Sequence, residues 1–267
     1  MNEEAPKKLW RYIPMQANDG PTNMAIDEAI LLSRQRGLVP NTIRLYQWSP
    51  STVTIGKHQS VDLEVDLDEI DQRGFQLVRR ISGGGAVLHA ENKEITYSVI
   101  ARKNDLLNSK AKLKPIDGIY ERILNIIQLT LHNISLSAAK GVVHCPALFI
   151  DGKKFSGNAQ CIKGNHFLQH GTILLSVDAE EMYSVLKPPT GVTKTRMVRS
   201  VMTKVVGLEE KLGETIDVQS FEIAFKKSAE DVLGVKLVNG SLTAEEKDAA
   251  KELKKKYDSV EWRMKHP

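Results

Sequence analysis

Arg79-Arg-Ile-Ser-Gly-Gly-Gly-Ala-Val-Leu-His89 is the stretch on which the reading of this chain turns. Extended sequence runs into Arg79-Arg80 and resumes from Ala86 to His89, so the pattern is strand, glycine loop, strand. Three consecutive glycines are costly in chain entropy. They suit a place where backbone adopts positive φ or passes close to a ligand, and successive N–H groups there hold a carbonyl or phosphate oxygen. No Gly-Lys-Ser/Thr follows, which excludes a Walker loop. The spacing and the following strand exclude a dinucleotide fingerprint. Two readings stand, a plain hairpin turn and a ligand-holding loop. Arg80 is suited to fork onto a phosphate or carbonyl oxygen, or to form an ordinary surface ion pair. Ser82 donates either to a ligand or to its own turn. His89 contacts ligand, orients the loop or packs.

Working outward, Thr22 to Arg36 reads as a helix capped by Thr22, with Ile26, Ala29 and Ile30 on a buried face and Gly37 beyond its end. Thr42–Trp48 and Thr52–Gly56 read as strands, and the short Ser49-Pro50-Ser51 link between them predicts an antiparallel pair. Ile95–Ile100, Leu148–Ile150 and Gly171–Val177 are further strands. Pro115 to Ile134 has helical spacing, with Ile116, Ile119, Ile123, Ile126 and Ile127 on an apolar face. Ala179–Leu186, Val218–Leu233 and Ala244–Tyr257 read as helices, the last carrying the Lys251–Lys256 run as a solvated face. No repeat and no linker appears. The class is α+β, a mixed or antiparallel sheet with flanking helices.

With 267 residues, the chain is long enough to bury a core without staples. A formal charge of +4 is too small to argue for nucleic acid or a membrane surface. Cys145 and Cys161 are too few for a disulfide scaffold or a cysteine-based zinc site, and no metal site is expected. The start shows no apolar signal segment, and no apolar run reaches the ~18 residues of a membrane span. The expectation is a cytoplasmic protein.

Asp151-Gly-Lys-Lys-Phe-Ser-Gly-Asn-Ala-Gln160 is the second informative stretch. Strand alternation points Lys153 and Lys154 to opposite sides. One enters a pocket as a fixed positive charge while the other is solvated, or both are surface lysines at a hairpin tip. His170, in Gln169-His-Gly171, supports a pocket or simply packs. Cys145, in Val143-His-Cys-Pro-Ala147, reads either as a buried inert thiol or as a nucleophile on a loop. His144 is a weak base candidate, and Cys161 reads as structural.

The chain resembles the lipoate-protein ligase and octanoyltransferase family, which is related to biotin ligases. Asn23-Met-Ala-Ile-Asp-Glu28, Ile43-Arg-Leu-Tyr46, Thr54-Ile-Gly56, Arg79–His89, Gly152-Lys-Lys-Phe-Ser-Gly157, Gln169-His-Gly-Thr-Ile-Leu174 and Lys256–Trp262 carry the likeness. It implies a biotin/lipoate ligase-like catalytic domain over residues 1–267, with a helical C-terminal extension from about 215. It implies that Lys154 contacts the acyl carbonyl or an adenylate phosphate. Arg80, Ser82, Gly83, Gly84, Gly85, Ala86 and His89 would surround the acyl chain and its activated head, with Ser156, Gly157 and His170 beside them. The implied reaction attaches an octanoyl or lipoyl group to the lysine of lipoyl domains, in 2-oxoacid dehydrogenases and the glycine-cleavage H protein.

Two chemistries follow from that resemblance. A transferase takes octanoate from acyl carrier protein, through a cysteine thioester in one branch, and needs no cofactor. A ligase activates lipoate with ATP and Mg²⁺ and in many cases needs an accessory subunit. Pro146 and Ala147 stand where ligases carry Asn-Asp, Cys145 lies in the connection that holds the transferase nucleophile, and Glu94–Val99 has the transferase look. Ser82–Ala86 has the ligase form. The preferred expectation is a transferase acting through Cys145 and Lys154, with the ligase as alternative. A non-catalytic carrier-binding protein and a biotin ligase fit less well, since Lys154 and the glycine loop are both present and the arginine-interleaved glycine motif of biotin ligases is not.

Overall fold

A computed structural model of the chain describes residues 7–107, 115–141 and 146–266. Its strands are β1 (Lys8–Asn18), β2 (Thr42–Trp48), β3 (Thr52–Ile55), β4 (Gln76–Arg79), β5 (Val87–His89), β6 (Glu94–Arg102), β7 (Ala139–Lys140), β8 (Ala147–Ile150), β9 (Lys153–Lys163), β10 (His166–Leu174) and β11 (Val235–Asn239). Its helices are α1 (Gly20–Gln35), α2 (Val61–Glu64), α3 (Leu67–Gln72), α4 (Lys103–Leu106), α5 (Pro115–Asn133), α6 (Ala179–Val185), α7 (Lys194–Lys204), α8 (Leu208–Leu212), α9 (Val218–Leu233), α10 (Ala244–Asp258) and α11 (Val260–Arg263). The architecture is α+β. One large mixed sheet runs β11-β1-β2-β6-β10-β9-β8-β7, and a small sheet runs β4-β3-β5. Among the described residues no helix is long and apolar enough to cross a membrane.

Strand alternation divides the large sheet chemically. Ile43, Leu45, Tyr97 and Val99 face one side, where Ile119, Ile123, Ile126 and Ile127 of α5 and Phe221 and Phe225 of α9 complete the main core. Ile116 departs from the apolar face read for α5 and is half exposed. Tyr46, Trp48, Ile100 and Leu168 face the other side, against α1. That helix is buried on most of its circumference: Asn23 and Asp27 are buried toward the sheet beside Arg44, and Glu28 is buried toward α10, where Lys256 and Tyr257 reach it.

Some local readings change. The cap of α1 is Asp19, whose carboxylate accepts from Thr22 N at 2.7 Å; a carboxylate at that point suits the helix dipole. Strands β2 and β3 do not pair. The link Ser49–Ser51 carries the chain from the large sheet into the small one, where β3 lies parallel to β4 and antiparallel to β5. The stretch beyond residue 215 includes β11, an edge strand of the large sheet, and its α9 supplies the main core. The lysine run of α10 is only partly solvated. Lys254 donates to Asp19 and Thr22, and Lys256 donates to Glu28 at 2.7 Å, so these cations tie α10 to α1.

Candidate active site

The glycine stretch is not a hairpin turn. Strands β4 and β5 flank β3 on opposite sides, so residues 80–86 arch across the end of β3. The arch sits close: Lys57 N donates to Ser82 O at 2.9 Å, and a Cβ on Gly56 would lie 2.1 Å from Gly84 O. Gly84 itself has φ +93, and a Cβ there would come within 2.9 Å of Arg80 Nη2. Both positions therefore require glycine.

Under the arch lies a cavity of about 210 Å³. Its wall is assembled from Met24 of α1, Tyr46 and Trp48 of β2, Thr54 of β3, the arch, Gly157 to Ala159 of β9 and His170 to Thr172 of β10. Of the residues expected in the site, Arg80, Gly84, Gly85, Ala86, His89, Lys154, Gly157 and His170 line it. Ser82 and Ser156 are fully buried behind it, and Gly83 stands outside its wall. Cys145 and His144 lie outside the described residues. The next residue, Pro146, is bound to the wall, since Asn158 Nδ2 donates to Pro146 O at 2.8 Å.

Arg80 is buried, and each of its nitrogens is engaged. Nε donates to Gly83 O, Nη1 to Thr54 O and Oγ1, and Nη2 to Gly83 O and Gly85 O at 2.8 and 2.7 Å. All these acceptors are neutral, so the loop wraps a buried cation that no carboxylate among the described residues touches. Burial pushes the guanidinium down to about 10, which leaves it charged at neutral pH. Its positive field adds to that of Lys154 at the cavity.

Two histidines brace the arch. His89 Nδ1 lies 2.7 Å from Glu94 Oε1 and Nε2 lies 3.0 Å from Thr54 Oγ1. The carboxylate only accepts, so Nδ1 carries the proton and Nε2 accepts from Thr54. Trp48 stacks on the His89 ring at 4.2 Å and donates through Nε1 to Thr96 Oγ1. His170 repeats the scheme, with Nδ1 3.4 Å from Asp27 Oδ2 and Nε2 2.6 Å from Ser82 Oγ. Asp27 also accepts from Arg44 at 2.9 Å, Ser98 at 2.9 Å and Tyr46 at 3.1 Å. Burial pushes the Asp27 carboxyl up, but Arg44 and the hydrogen bonds outweigh it and hold it below its ordinary value. Burial likewise pushes His170 below the usual histidine range, against the pull of Asp27. The row Asp27–His170–Ser82 resembles a nucleophile relay in order, but buried Ser82 is outside the cavity wall, so the row acts as a brace.

Lys153 and Lys154 diverge as strand geometry requires. Lys153 Nζ reaches Met202 O at 3.5 Å, whereas Lys154 lines the cavity. Lys154 Nζ lies over Gly157, where a Cβ would be 3.4 Å away, so glycine there leaves room for the ammonium. Among the described residues the Lys154 ammonium has no hydrogen-bond or ion-pair partner. It is the group best placed to meet a developing oxyanion or a phosphate. Cys161 is half-buried on β9 against the α1 core, and burial pushes its thiol up, away from thiolate character.

Sequence reasoning missed Asp27, Thr54, Trp48 and Asn158. Asp27 lies next to Ile26 on a helix with a buried face, and a carboxylate in that setting signals a buried polar partner.

Residues 19–230 match the family model described as the lipoyl protein ligase A/B catalytic domain. Two curated relatives are the octanoyltransferase LipM of Moorella thermoacetica, 35% identical with 96% of this chain and 98% of the relative covered, and that of Geobacillus kaustophilus, 34% identical with 97% and 99% covered. Among solved structures, a bi-partite lipoate protein ligase from Thermoplasma acidophilum superposes with TM-score 0.82 at 24% identity, covering 98% of this chain and 97% of that one. Lipoate-protein ligase A bound with ATP gives 0.80 at 23% identity, with 97% and 99% covered. The structural likenesses carry the fold.

Proposed function

The chain belongs to the lipoyl protein ligase A/B catalytic-domain family, and we propose that it transfers octanoate from acyl carrier protein to the lysine of a lipoyl domain through a Cys145 thioester. The observation that carries the reading is the Lys154 ammonium, without a partner among the described residues, on the wall of a cavity closed by the glycine arch. Three further points support it. The relatives named octanoyltransferase match over nearly the full length. Cys145 is bonded covalently to Pro146, which Asn158 holds to the cavity wall. Pro146 and Ala147 offer no side-chain ligand to a magnesium nucleotide.

In the first step the Cys145 thiolate attacks the thioester carbonyl carbon of the donor. A carbon–sulfur bond to Cys145 forms, the bond to the carrier sulfur breaks, and the carrier thiolate leaves and takes up a proton. In the second step the neutral lysine amine of the lipoyl domain attacks the enzyme thioester. A carbon–nitrogen bond forms, the bond to Cys145 breaks, and the proton lost by the amine neutralises the departing thiolate. Lys154 opposes the oxyanion of both tetrahedral intermediates. Thioester exchange is nearly isoenergetic and amide formation is downhill, so the route needs no cofactor.

Intact mass after incubation with octanoyl carrier protein, without ATP, tests this. A hydroxylamine-sensitive octanoyl adduct on Cys145 supports the transferase. Absence of that adduct, with lipoyl-adenylate formed from ATP, Mg²⁺ and lipoate, assigns the ligase reaction instead.

A further inference from the structure

From Met182 to Leu208 the chain contains Lys187, Lys194, Arg196, Arg199 and Lys204 and no aspartate or glutamate. Set against a whole-chain excess of +4, these five cations leave the remaining residues at −1. The segment is thus strongly basic, with a local net charge of +5 from these five cations. Most of it lies on α7, where Arg196, Arg199 and Met202 follow one another at three-residue spacing and form one exposed stripe. Met202 is 64% exposed. The cations are not engaged locally: Lys194 donates only to Ser184 O, and among the described residues Arg196, Arg199 and Lys204 have no ion-pair partner. The contrast with α10 is direct, because there Lys254 and Lys256 neutralise carboxylates of Asp19 and Glu28. Like charges left unpaired along a helix repel, which disfavours the helix by itself.

The helix is joined to the site at one end. Val205, directly after α7, forms a parallel bridge with Lys154, and Val206 N donates to Lys154 O at 3.0 Å. Eleven residues at ~1.5 Å each make the helix roughly 16 Å long from that junction. The basic stripe therefore begins next to the strand bearing the cavity lysine and runs along the helix away from that junction.

We propose that α7 is the docking face for the acyl donor, an acidic carrier protein whose thioester hangs on a long phosphate-ended arm. This rests on the transferase reading above. Arginine forks suit carboxylates and the arm's phosphate, and an exposed methionine gives an adaptable apolar contact between them. The extent of the stripe selects the donor over the acceptor. A lysine acceptor reaches only the length of its own four-carbon stem, so its protein must sit on the cavity rim. A long arm lets the donor protein rest along a surface leading away from the rim.

The test is R196E/R199E in the full-length protein, with two octanoyl donors: octanoyl carrier protein and octanoyl-pantetheine, which has the thioester without protein or phosphate. The expected result is a fall of about tenfold or more in kcat/KM for the carrier protein at low ionic strength, narrowing as salt is added. Transfer from octanoyl-pantetheine and KM for the lipoyl domain stay unchanged, and R196K/R199K retains most of the carrier-protein rate. Equal loss with both donors overturns the proposal, because α7 then acts on the site itself. A shift confined to KM for the lipoyl domain overturns it in favour of acceptor docking. No effect on either donor also overturns it. Wild-type protein that transfers from neither thioester overturns the transferase reading, and this inference with it.

Discussion

The Ser82 hydroxyl lies 2.6 Å from Nε2 of His170, across a separation of 88 residues. The serine stands at the root of the glycine arch and the histidine on the sheet below it. Through Nδ1 the same ring meets Asp27 of α1, which is held by Arg44. One imidazole thus ties together the loop, the large sheet and the first helix. The shape of the cavity depends on it without requiring that Ser82 touch a substrate.

Replacing His170 by alanine leaves two fully buried polar groups, Ser82 Oγ and Asp27 Oδ2, each short of a partner. The expected cost is about 2–3 kcal/mol, the desolvation penalty of unsatisfied buried groups. Urea unfolding should show a lower midpoint with an unchanged slope. Octanoyl transfer should fall further than the fraction unfolded accounts for, because the arch loses its brace.

Burial depresses the His170 pKa in the folded state, and this sets the sign of a pH effect. Below the unfolded value of about 6.5 the unfolded chain binds a proton that the folded chain does not. Stability therefore falls as pH drops from about 6.5 toward the folded pKa, by at most ~1.4 kcal/mol per pH unit from this one group. It is unaffected by His170 above pH 7. Denaturant midpoints measured from pH 8 to pH 5 should decline, and His170→Gln should decline less steeply across the same window.

The parts of this site that were legible in the sequence rest on local chemistry. Three glycines in a row report a backbone requirement wherever they fall. The opposition of Lys153 and Lys154 follows from the two-residue period of a strand. Partner choice was not legible. A short turn between β2 and β3 suggests an antiparallel pair, yet their hydrogen bonds go to strands of different sheets. Sequence reasoning missed strand β1; its Pro14 sits within the register shift between Ile13 and Gln16, where a ladder donor is dispensable. Asp27 and His170 meet only because α1 packs over β10, a fact no local pattern contains.

Arg79 differs from its neighbour Arg80 in its task. Its guanidinium donates to the carbonyls of Gly56 and Gln59 on one side and of Arg263 and His266 on the other, while Trp262 Nε1 returns a bond to Arg79 O. It clamps the C-terminal turn onto the loop beneath the glycine arch. Arg79→Ala should release residues 259–266 first. Limited proteolysis should then cut near Lys265 or Arg263 in the variant under conditions that spare the wild type, and the midpoint in urea should fall by about 2–4 kcal/mol worth of stability.

Lys154 is the counterpart case, a residue whose loss should cost function and not stability. Its ammonium has no partner among the described residues, so truncation leaves no buried group unsatisfied. Gly157 presents no side chain to it, so little packing is lost either. Lys154→Ala should therefore shift the unfolding midpoint by less than about 0.5 kcal/mol. On the transferase reading its removal takes away the charge that opposes the oxyanion, an expected loss of about 10²–10³ in kcat. Lys154→Arg keeps the charge but brings a planar fork into a space sized for an ammonium, and should recover only part of that rate. Single-turnover acyl transfer with purified wild-type, K154A and K154R proteins checks the order. A stability loss in K154A equal to that of His170→Ala would show that Lys154 is a structural residue instead.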